Sequence, residues 1–191
     1  MRTSRRPAWL FFLSTILAAP IMIATPASAQ EKILHSFGSK IDDGSDPVAA
    51  LVFDTNGNLY GTTKTGGADG FGTVFELSPA ADGGWGEKVL FSFHRIRPGV
   101  YPEAGVILDS AGNLYGTAYE SGTSDKGVVF ELKHWPDGGW SEEVLHDFGA
   151  PTDGWCPAAG LIFDSAANLY GTTLVGGAAA FEQGTVFEIT R

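Results

Sequence analysis

A ten-residue element that recurs at a constant distance constrains this chain more than any other feature. Its three copies begin at Asp54, Asp109 and Asp164, so that successive copies lie 55 residues apart, and each reads Asp-x-x-x-Asn-Leu-Tyr-Gly-Thr followed by Thr or Ala. An apolar run precedes each copy, and a segment built on Val-Phe-Glu follows it. A fixed period of this length indicates a repeat architecture.

Four strand-like segments recur in each repeat, and we letter them A to D. β-Branched and aromatic residues dominate them, and Gly, Asn and Asp bound them, which is typical of strands. No segment after residue 29 has sustained helical periodicity. The sequence therefore predicts an all-β fold of three four-stranded antiparallel repeats of about 55 residues. In the first repeat the segments are A (48–53), B (58–63), C (72–77) and D (87–93).

The number of repeats leaves the global arrangement open. Four-stranded repeats of this size resemble β-propeller blades, but propellers normally have four to eight of them. We therefore expect a partial or small propeller, with a β-trefoil or a β-prism as alternatives. Residues 31–37 match segment D in sequence, so we expect them to complete the third repeat and hide a sheet edge. The predicted domain covers 30–191, with repeats at about 47–93, 102–148 and 157–191, the last completed by strand 31–37.

The first 29 residues have the character of a secretory signal peptide. Three arginines precede an apolar segment at 8–24, and Ala27-Ser28-Ala29 supplies small residues for cleavage before Gln30. We therefore expect a secreted or periplasmic protein that has no membrane span after cleavage.

Charge and cysteine content limit the partners. Without residues 1–29 the chain has 9 basic and 22 acidic residues, a formal charge of −13. A surface this acidic repels phosphate backbones, so nucleic acid is excluded as a partner. Cys156 is the single cysteine, so no disulfide can form within the chain. A disulfide between two copies through Cys156 would instead produce a homo-oligomer.

The connections between segments fall into two classes. The A-to-B and C-to-D turns hardly change between repeats, whereas the B-to-C and D-to-A loops differ in length and chemistry. In an up-and-down sheet the two variable classes emerge at the same edge, so one face is free to specialise. The variable loops are 64–71, 119–126 and 174–183 (B to C) and 38–46, 94–101 and 149–156 (D to A).

The D-to-A loops contain the candidate ligand-binding residues. An acidic, a basic and an aromatic loop occupy equivalent positions, and we expect them to converge at a pocket mouth. Such a mouth would suit a polar ligand such as a glycan or a peptide. The candidates are Asp42, Asp43, Asp46, Arg95, Arg97, Tyr101, Asp153 and Trp155.

Other polar residues are better explained by structure. His35 and His146 occupy equivalent positions in segment D where the middle repeat has Phe91, which favours an aromatic-sized slot over metal ligation. A glutamate recurs within segment C between apolar neighbours, and this alternation predicts a solvent-facing side chain. These glutamates are Glu76, Glu131 and Glu188.

The repeated motifs give the chain a family resemblance. The elements at 54–63 and 72–77, with their copies, resemble the bacterial GloVer tandem-repeat family, whose secreted members carry runs of the same two elements. The resemblance covers 31–191. It implies repeat architecture and export, and it brings no catalytic residues, because the family has no established activity.

These observations predict a secreted, non-catalytic β-repeat module that binds a partner or a cell-envelope or glycan ligand through its variable loops. The chain has no nucleophile elbow, zinc-ligand spacing or phosphate loop, so no catalytic or metal-ligating residue is assigned. The first alternative is a cation-dependent propeller hydrolase or lyase in which Asp42 and Asp46 hold a cation such as Ca²⁺; otherwise no cofactor is expected. The second alternative is a truncated fragment of a longer repeat protein.

Overall fold

The computed structural model describes residues 29–95, 99–178 and 183–191. The predicted signal peptide lies outside this range except for residue 29, and Arg97 also lies outside it. All regular elements of the described residues are strands, which confirms the all-β prediction. The described part of the chain contains no helix that could span a membrane. Residues Ile33–Arg191 form one compact unit.

Most of the strands match the predicted segments, and short additional strands lie within the variable loops. In chain order the strands of the described residues are β1 (Gly44–Ser45), β2 (Val52–Phe53), β3 (Leu59–Thr63), β4 (Thr65–Gly66), β5 (Thr73–Pro79), β6 (Trp85–Ser92), β7 (Ile107–Leu108), β8 (Leu114–Ala118), β9 (Val128–His134), β10 (Trp140–Asp147), β11 (Gly154–Trp155), β12 (Ile162–Phe163), β13 (Leu169–Thr173), β14 (Val175–Gly176) and β15 (Thr185–Ile189).

Each repeat folds into its own antiparallel sheet. The first sheet has the order β2-β3-β5-β6 and the second β7-β8-β9-β10, which is the predicted order A-B-C-D. The third sheet has the order β12-β13-β15 among the described residues. The register is the same in all three, since the tyrosine of segment B always faces the glutamate of segment C. The sheets are meanders of the kind found in propeller blades, and none of them closes on itself.

Segment A is much shorter as a strand than predicted. Only Val52–Phe53 pairs in the first repeat, instead of 48–53. The residues before it contact the next repeat. A Cβ atom at Gly105 would lie only 2.3 Å from the backbone oxygen of Ala50, so the two backbones touch. The Thr62 hydroxyl also donates a hydrogen bond to the carbonyl of Ala104, at 3.0 Å.

The N-terminal segment lies against the first repeat and has no strand pairing. Phe37 packs edge-on against Phe75 of β5, with ring centroids 4.9 Å apart. The phenylalanine at the end of each later D segment packs in the same way on segment C of the following repeat. The predicted pairing of 31–37 with the third sheet is therefore not observed, and no strand of the described residues covers the outer edge of β15. The equivalent ring pairs are Phe93–Phe130 and Phe148–Phe187.

The constant A-to-B turn is built around one aspartate. Oδ1 of Asp54 accepts hydrogen bonds from the amides of Asn56 and Asn58, and Oδ2 accepts one from the Asn58 side chain. The same three hydrogen bonds form at Asp109 and at Asp164. These bonds satisfy amides that no strand partner reaches, which confirms that this turn has a structural role.

The core of the described residues lies between consecutive sheets. One cluster joins Tyr60 and Phe93 of the first repeat to Leu114 and Phe130 of the second. A second cluster joins Phe148 and its neighbours to the third repeat through Leu161 and Leu169. Because each sheet buries one face against the next, the repeats stabilise one another and order the loops at their ends.

Candidate functional site

The two classes of variable loop pair with each other inside each repeat. In the first repeat β1 of the D-to-A loop pairs with β4 of the B-to-C loop. In the third repeat β11 pairs with β14 in the same register, and in the second a bridge joins Val100 to Glu120. The prediction that both classes emerge at one edge of the sheet is therefore consistent with the observed pairing.

Further hydrogen bonds join the loops of neighbouring repeats. The amide of Tyr101 donates to the Phe71 carbonyl at 3.0 Å, and the amide of Cys156 donates to the Lys126 carbonyl at 2.9 Å. Each bond links a D-to-A loop to the B-to-C loop of the preceding repeat. The described residues of the six variable loops thus form one continuous surface, which we call the loop face.

A groove lined by all three repeats adjoins the loop face. It has a volume of about 460 Å³. Its walls are the residues that follow Pro47, Pro102 and Pro157, the prolines directly after the D-to-A loops. Glu103 lies in its wall and is paired with Lys64 of the loop face, with Nζ and Oε1 2.5 Å apart. Most other lining residues are small or apolar, among them Val48, Ala50, Leu51, Ala104, Ala158 and Leu161.

The three predicted aspartates of the first repeat differ in exposure. Asp42 and Asp46 are exposed, and Oδ2 of Asp46 accepts a hydrogen bond from the Thr65 hydroxyl at 2.7 Å. The Asp43 side chain is only 1% exposed. Its Oδ2 accepts hydrogen bonds from the amides of Gly38 and Ser39, at 2.9 and 3.2 Å. Asp43 therefore holds its own loop together and does not face a ligand in solvent.

The candidates of the second and third repeats also lie in the loop face. Arg95 is exposed, and Tyr101 is half-buried against Phe71, with ring centroids 5.6 Å apart. Asp153 repeats the role of Asp43, because its Oδ2 accepts hydrogen bonds from the amides of Gly149 and Ala150. Trp155 is half-buried, and Nζ of Lys126 lies 5.0 Å from its ring centroid, a cation–π contact. Cys156 beside it is half-buried as well.

The histidines fill an aromatic slot, as predicted. The ring of His35 packs edge-on against Phe37 with centroids 4.7 Å apart, and His146 packs on Phe148 in the same way at 4.6 Å. Phe91 makes the equivalent contact in the middle repeat. The sequence pattern did not reveal that each histidine also faces an aspartate of the D-to-A loop. Nε2 of His35 lies 3.6 Å from Asp43 Oδ2, and the corresponding distance from His146 to Asp153 is 3.4 Å.

The opposite end of the sheets carries a buried polar network that contradicts one prediction. Glu131 is only 2% exposed, so the expectation of a solvent-facing glutamate is wrong at this position. The Tyr115 hydroxyl lies 2.6 Å from Glu131 and 2.9 Å from Asp109, and Nη1 of Arg191 donates to that hydroxyl at 2.6 Å. Burial and the two carboxylates raise the pKa of Tyr115 well above its ordinary value. The Tyr115 phenol therefore stays protonated and can donate a hydrogen bond to one of the two carboxylates.

The comparison with known families decides where the chain belongs. A family model described as the Gloeobacter/Verrucomicrobia repeat matches residues 20–191. The chain belongs to this repeat family. A search of curated proteins finds no match. For this GloVer-type chain the family accounts for the tandem architecture and for the constant spacing of its turns. The site residues have to be argued from the geometry of the loop face itself.

Proposed function

We propose that this repeat protein is a secreted, non-catalytic binding module whose loop face takes a polar ligand of the cell envelope. The observation that carries the proposal is the hydrogen-bonded continuity of the variable loops across the repeats. Sequence variation is concentrated where the fold gathers its loops, while the turns at the other end keep the same hydrogen bonds in every copy. Binding residues are commonly placed on loops that a rigid scaffold orders.

The chemistry of the loop face suits a carbohydrate. Exposed carboxylates at Asp42 and Asp46 can accept hydrogen bonds from sugar hydroxyls, and the half-buried rings of Tyr101 and Trp155 offer apolar surface on the same loop face. The groove next to the loop face gives a ligand a concave, largely apolar surface, which is typical of binding sites. A glycan that lies across two or more repeats would contact both the loop face and the groove.

The expected export of the chain supports an envelope ligand. The positively charged, apolar and small-residue parts of 1–29 favour passage across the cytoplasmic membrane. A formal charge of −13 after cleavage disfavours nucleic acid and anionic lipid surfaces. A polymer outside the cytoplasm that is less strongly anionic than these, such as a glycan with few or balanced charges, is then the more compatible partner.

Retention on purified peptidoglycan sacculi and on a glycan array tests the proposal. Trp155→Ala removes an aromatic face from the loop face, and we expect it to weaken retention about tenfold, as is usual for an aromatic residue at the centre of a binding site. Trp135→Ala is the matched control, because Trp135 is 52% exposed in the C-to-D turn at the opposite end. Circular dichroism checks that both variants fold.

Equal retention of the wild type and of both variants on the sacculi would contradict the assignment of Trp155. Absence of retention on every glycan probe would contradict the proposed ligand class.

A further inference from the structure

A compact group of three ligand-type side chains lies beside the first sheet. His35 comes from the N-terminal segment, Asp43 from the first D-to-A loop and Glu87 from β6. Each offers one ligand atom, and the three atoms lie within 4.8 Å of one another. The side chains of Asp43 and Glu87 are 1% and 4% exposed, and that of His35 is 12% exposed. The group is thus almost fully withdrawn from solvent.

Two polar atoms of this group are buried without a hydrogen-bond partner. They are Nε2 of His35 and Oε1 of Glu87. The 3.6 Å between His35 Nε2 and Asp43 Oδ2 is too long for a hydrogen bond. An unpaired carboxylate oxygen in the protein interior is costly, because it has lost its water and gained no donor. A cation between the three side chains would satisfy both atoms.

The surroundings already orient two of the three side chains, Asp43 and His35. Asp43 is fixed by the amides of Gly38 and Ser39 on Oδ2 and by the Gly44 amide on Oδ1, at 2.8 Å. A carboxylate has about four lone-pair positions, so these bonds leave capacity for a metal. His35 is held by its edge-on contact with Phe37. Supporting contacts of this kind orient metal ligands in proteins.

We propose that His35, Asp43 and Glu87 form a binding site for a divalent transition-metal ion, for which Zn²⁺ is the probe. One imidazole nitrogen and two carboxylate oxygens are ligands that Zn²⁺ accepts, with water in the remaining position. Tetrahedral bonds of about 2.0–2.2 Å place ligand atoms about 3.3–3.6 Å apart. The three atoms must therefore approach one another by about an ångström, a distance that a small rotation of the Glu87 side chain can cover.

Lys40 lies at the rim of the site, and its ammonium group is 3.4 Å from Oε2 of Glu87. The Lys40 side chain is 58% exposed, so it can turn into solvent when a cation binds. Metal binding and the Lys40 ion pair compete for the same carboxylate, and removal of the lysine charge should strengthen metal binding.

The other repeats provide internal controls. The third repeat has the same pair, His146 and Asp153, but these side chains are 37% and 23% exposed. No third carboxylate or histidine joins them in the part of the chain that the structure describes. The middle repeat has Phe91 in place of the histidine and Pro98 in place of the aspartate. The complete set of ligands thus occurs in the first repeat.

Calorimetric titration of Zn²⁺ into the purified, chelator-treated protein tests this proposal. We expect one Zn²⁺ per chain in the wild type and in His146→Phe, and binding at least tenfold weaker in His35→Phe and Glu87→Gln. His35→Phe introduces the residue that the middle repeat already uses in this slot. No stoichiometric binding, or equal affinities in all four proteins, would overturn the proposal.

A measurement on the wild type keeps the proposal testable if a variant does not fold. In ¹⁵N NMR spectra of the histidine rings, Zn²⁺ should shift the Nε2 signal of His35 and leave that of His146 in place. A shift at His146 alone, or at neither ring, would exclude the site.

Discussion

At the scale of single residues, the constant turns depend on hydrogen bonds to an ionised aspartate. Burial by itself would raise the pKa of Asp54, but hydrogen bonds from Asn58 and Asn56 outweigh it and hold the pKa below its ordinary value. The pKa of Asp109 is lowered against the same opposing effect of burial. At Asp164 the side chain of Asn168 is the main cause of the lowered pKa.

These lowered pKa values predict how stability depends on pH. Between the folded pKa and the unfolded value of about 3.9, the unfolded chain binds more protons, so stability rises with pH. The contribution of the three aspartates is therefore complete above about pH 5 and is lost as pH falls below about 4. Urea unfolding at pH 3 and pH 6 measures the difference in stability between the two pH values. Asp109→Asn should reduce the difference between the two pH values, and an unchanged difference would contradict the role of Asp109.

The third A-to-B turn has an unusual backbone at one residue. Ala167 replaces the turn glycine of the other repeats and adopts a φ of 66°. The sequence favours Asn168 for the left-handed conformation, because asparagine tolerates it better than alanine. Asp164 accepts hydrogen bonds from the amides of Ala166 and Asn168, the two neighbours of Ala167. The left-handed residue is therefore set by its position in the turn and not by the preference of its side chain.

Ala167→Gly should therefore stabilise the protein by up to about 1 kcal/mol. The left-handed conformation costs a non-glycine residue about 1–2 kcal/mol, but glycine also raises the conformational entropy of the unfolded chain, which offsets part of the gain. Thermal unfolding measures the change. Gly57→Ala at the equivalent position of the first repeat, where φ is 86°, should lower stability by a similar amount. Destabilisation by Ala167→Gly would contradict the strain at this turn.

At the scale of elements, the sequence predicts segments B, C and D within about two residues, because β-branched and aromatic residues dominate each segment and turn residues bound it. It predicts segment A poorly. Val48 and Leu51 are 62% and 50% exposed, and their segment contacts the next repeat without pairing in a sheet. An apolar run in the sequence does not show whether a segment pairs in a sheet or packs unpaired against another repeat. The position of residues 33–37 could not be predicted from the sequence either, because it depends on which repeat lies next to them.

The contact between the first two repeats gives a prediction at this scale. A methyl group at Gly105 would meet the backbone of Ala50 at 2.3 Å, and backbone atoms cannot move aside cheaply. Gly105→Ala should cost about 1–3 kcal/mol of stability, as overpacking commonly does. Gly160 is the equivalent residue of the third repeat, and a methyl group there would have nothing within 4 Å. The free energy of unfolding of Gly160→Ala, measured in urea, should therefore be close to that of the wild type. A similar loss of stability in Gly105→Ala and Gly160→Ala would contradict the contact between Gly105 and Ala50.

At the scale of the whole molecule, the sequence could predict a common end for the variable loops, because strands of an antiparallel meander alternate in direction. It could not predict which loop residues face solvent. Asp42 and Asp43 are adjacent and chemically identical, yet only Asp43 is buried, because loop amides donate hydrogen bonds to its carboxylate. The buried Glu131 network was hidden for a similar reason, since Arg191 reaches it from the next repeat.

The account as a whole requires that ligand contacts fall on the loop face and spare the constant turns. Backbone amide NMR of the protein, titrated with soluble peptidoglycan fragments, tests this most directly. We expect shifts at loop-face residues such as Asp46, Tyr101 and Trp155, and none at the A-to-B turns around Asn56, Ala111 and Ala166. Shifts that centre on those turns, or no shifts with any fragment, would contradict the account.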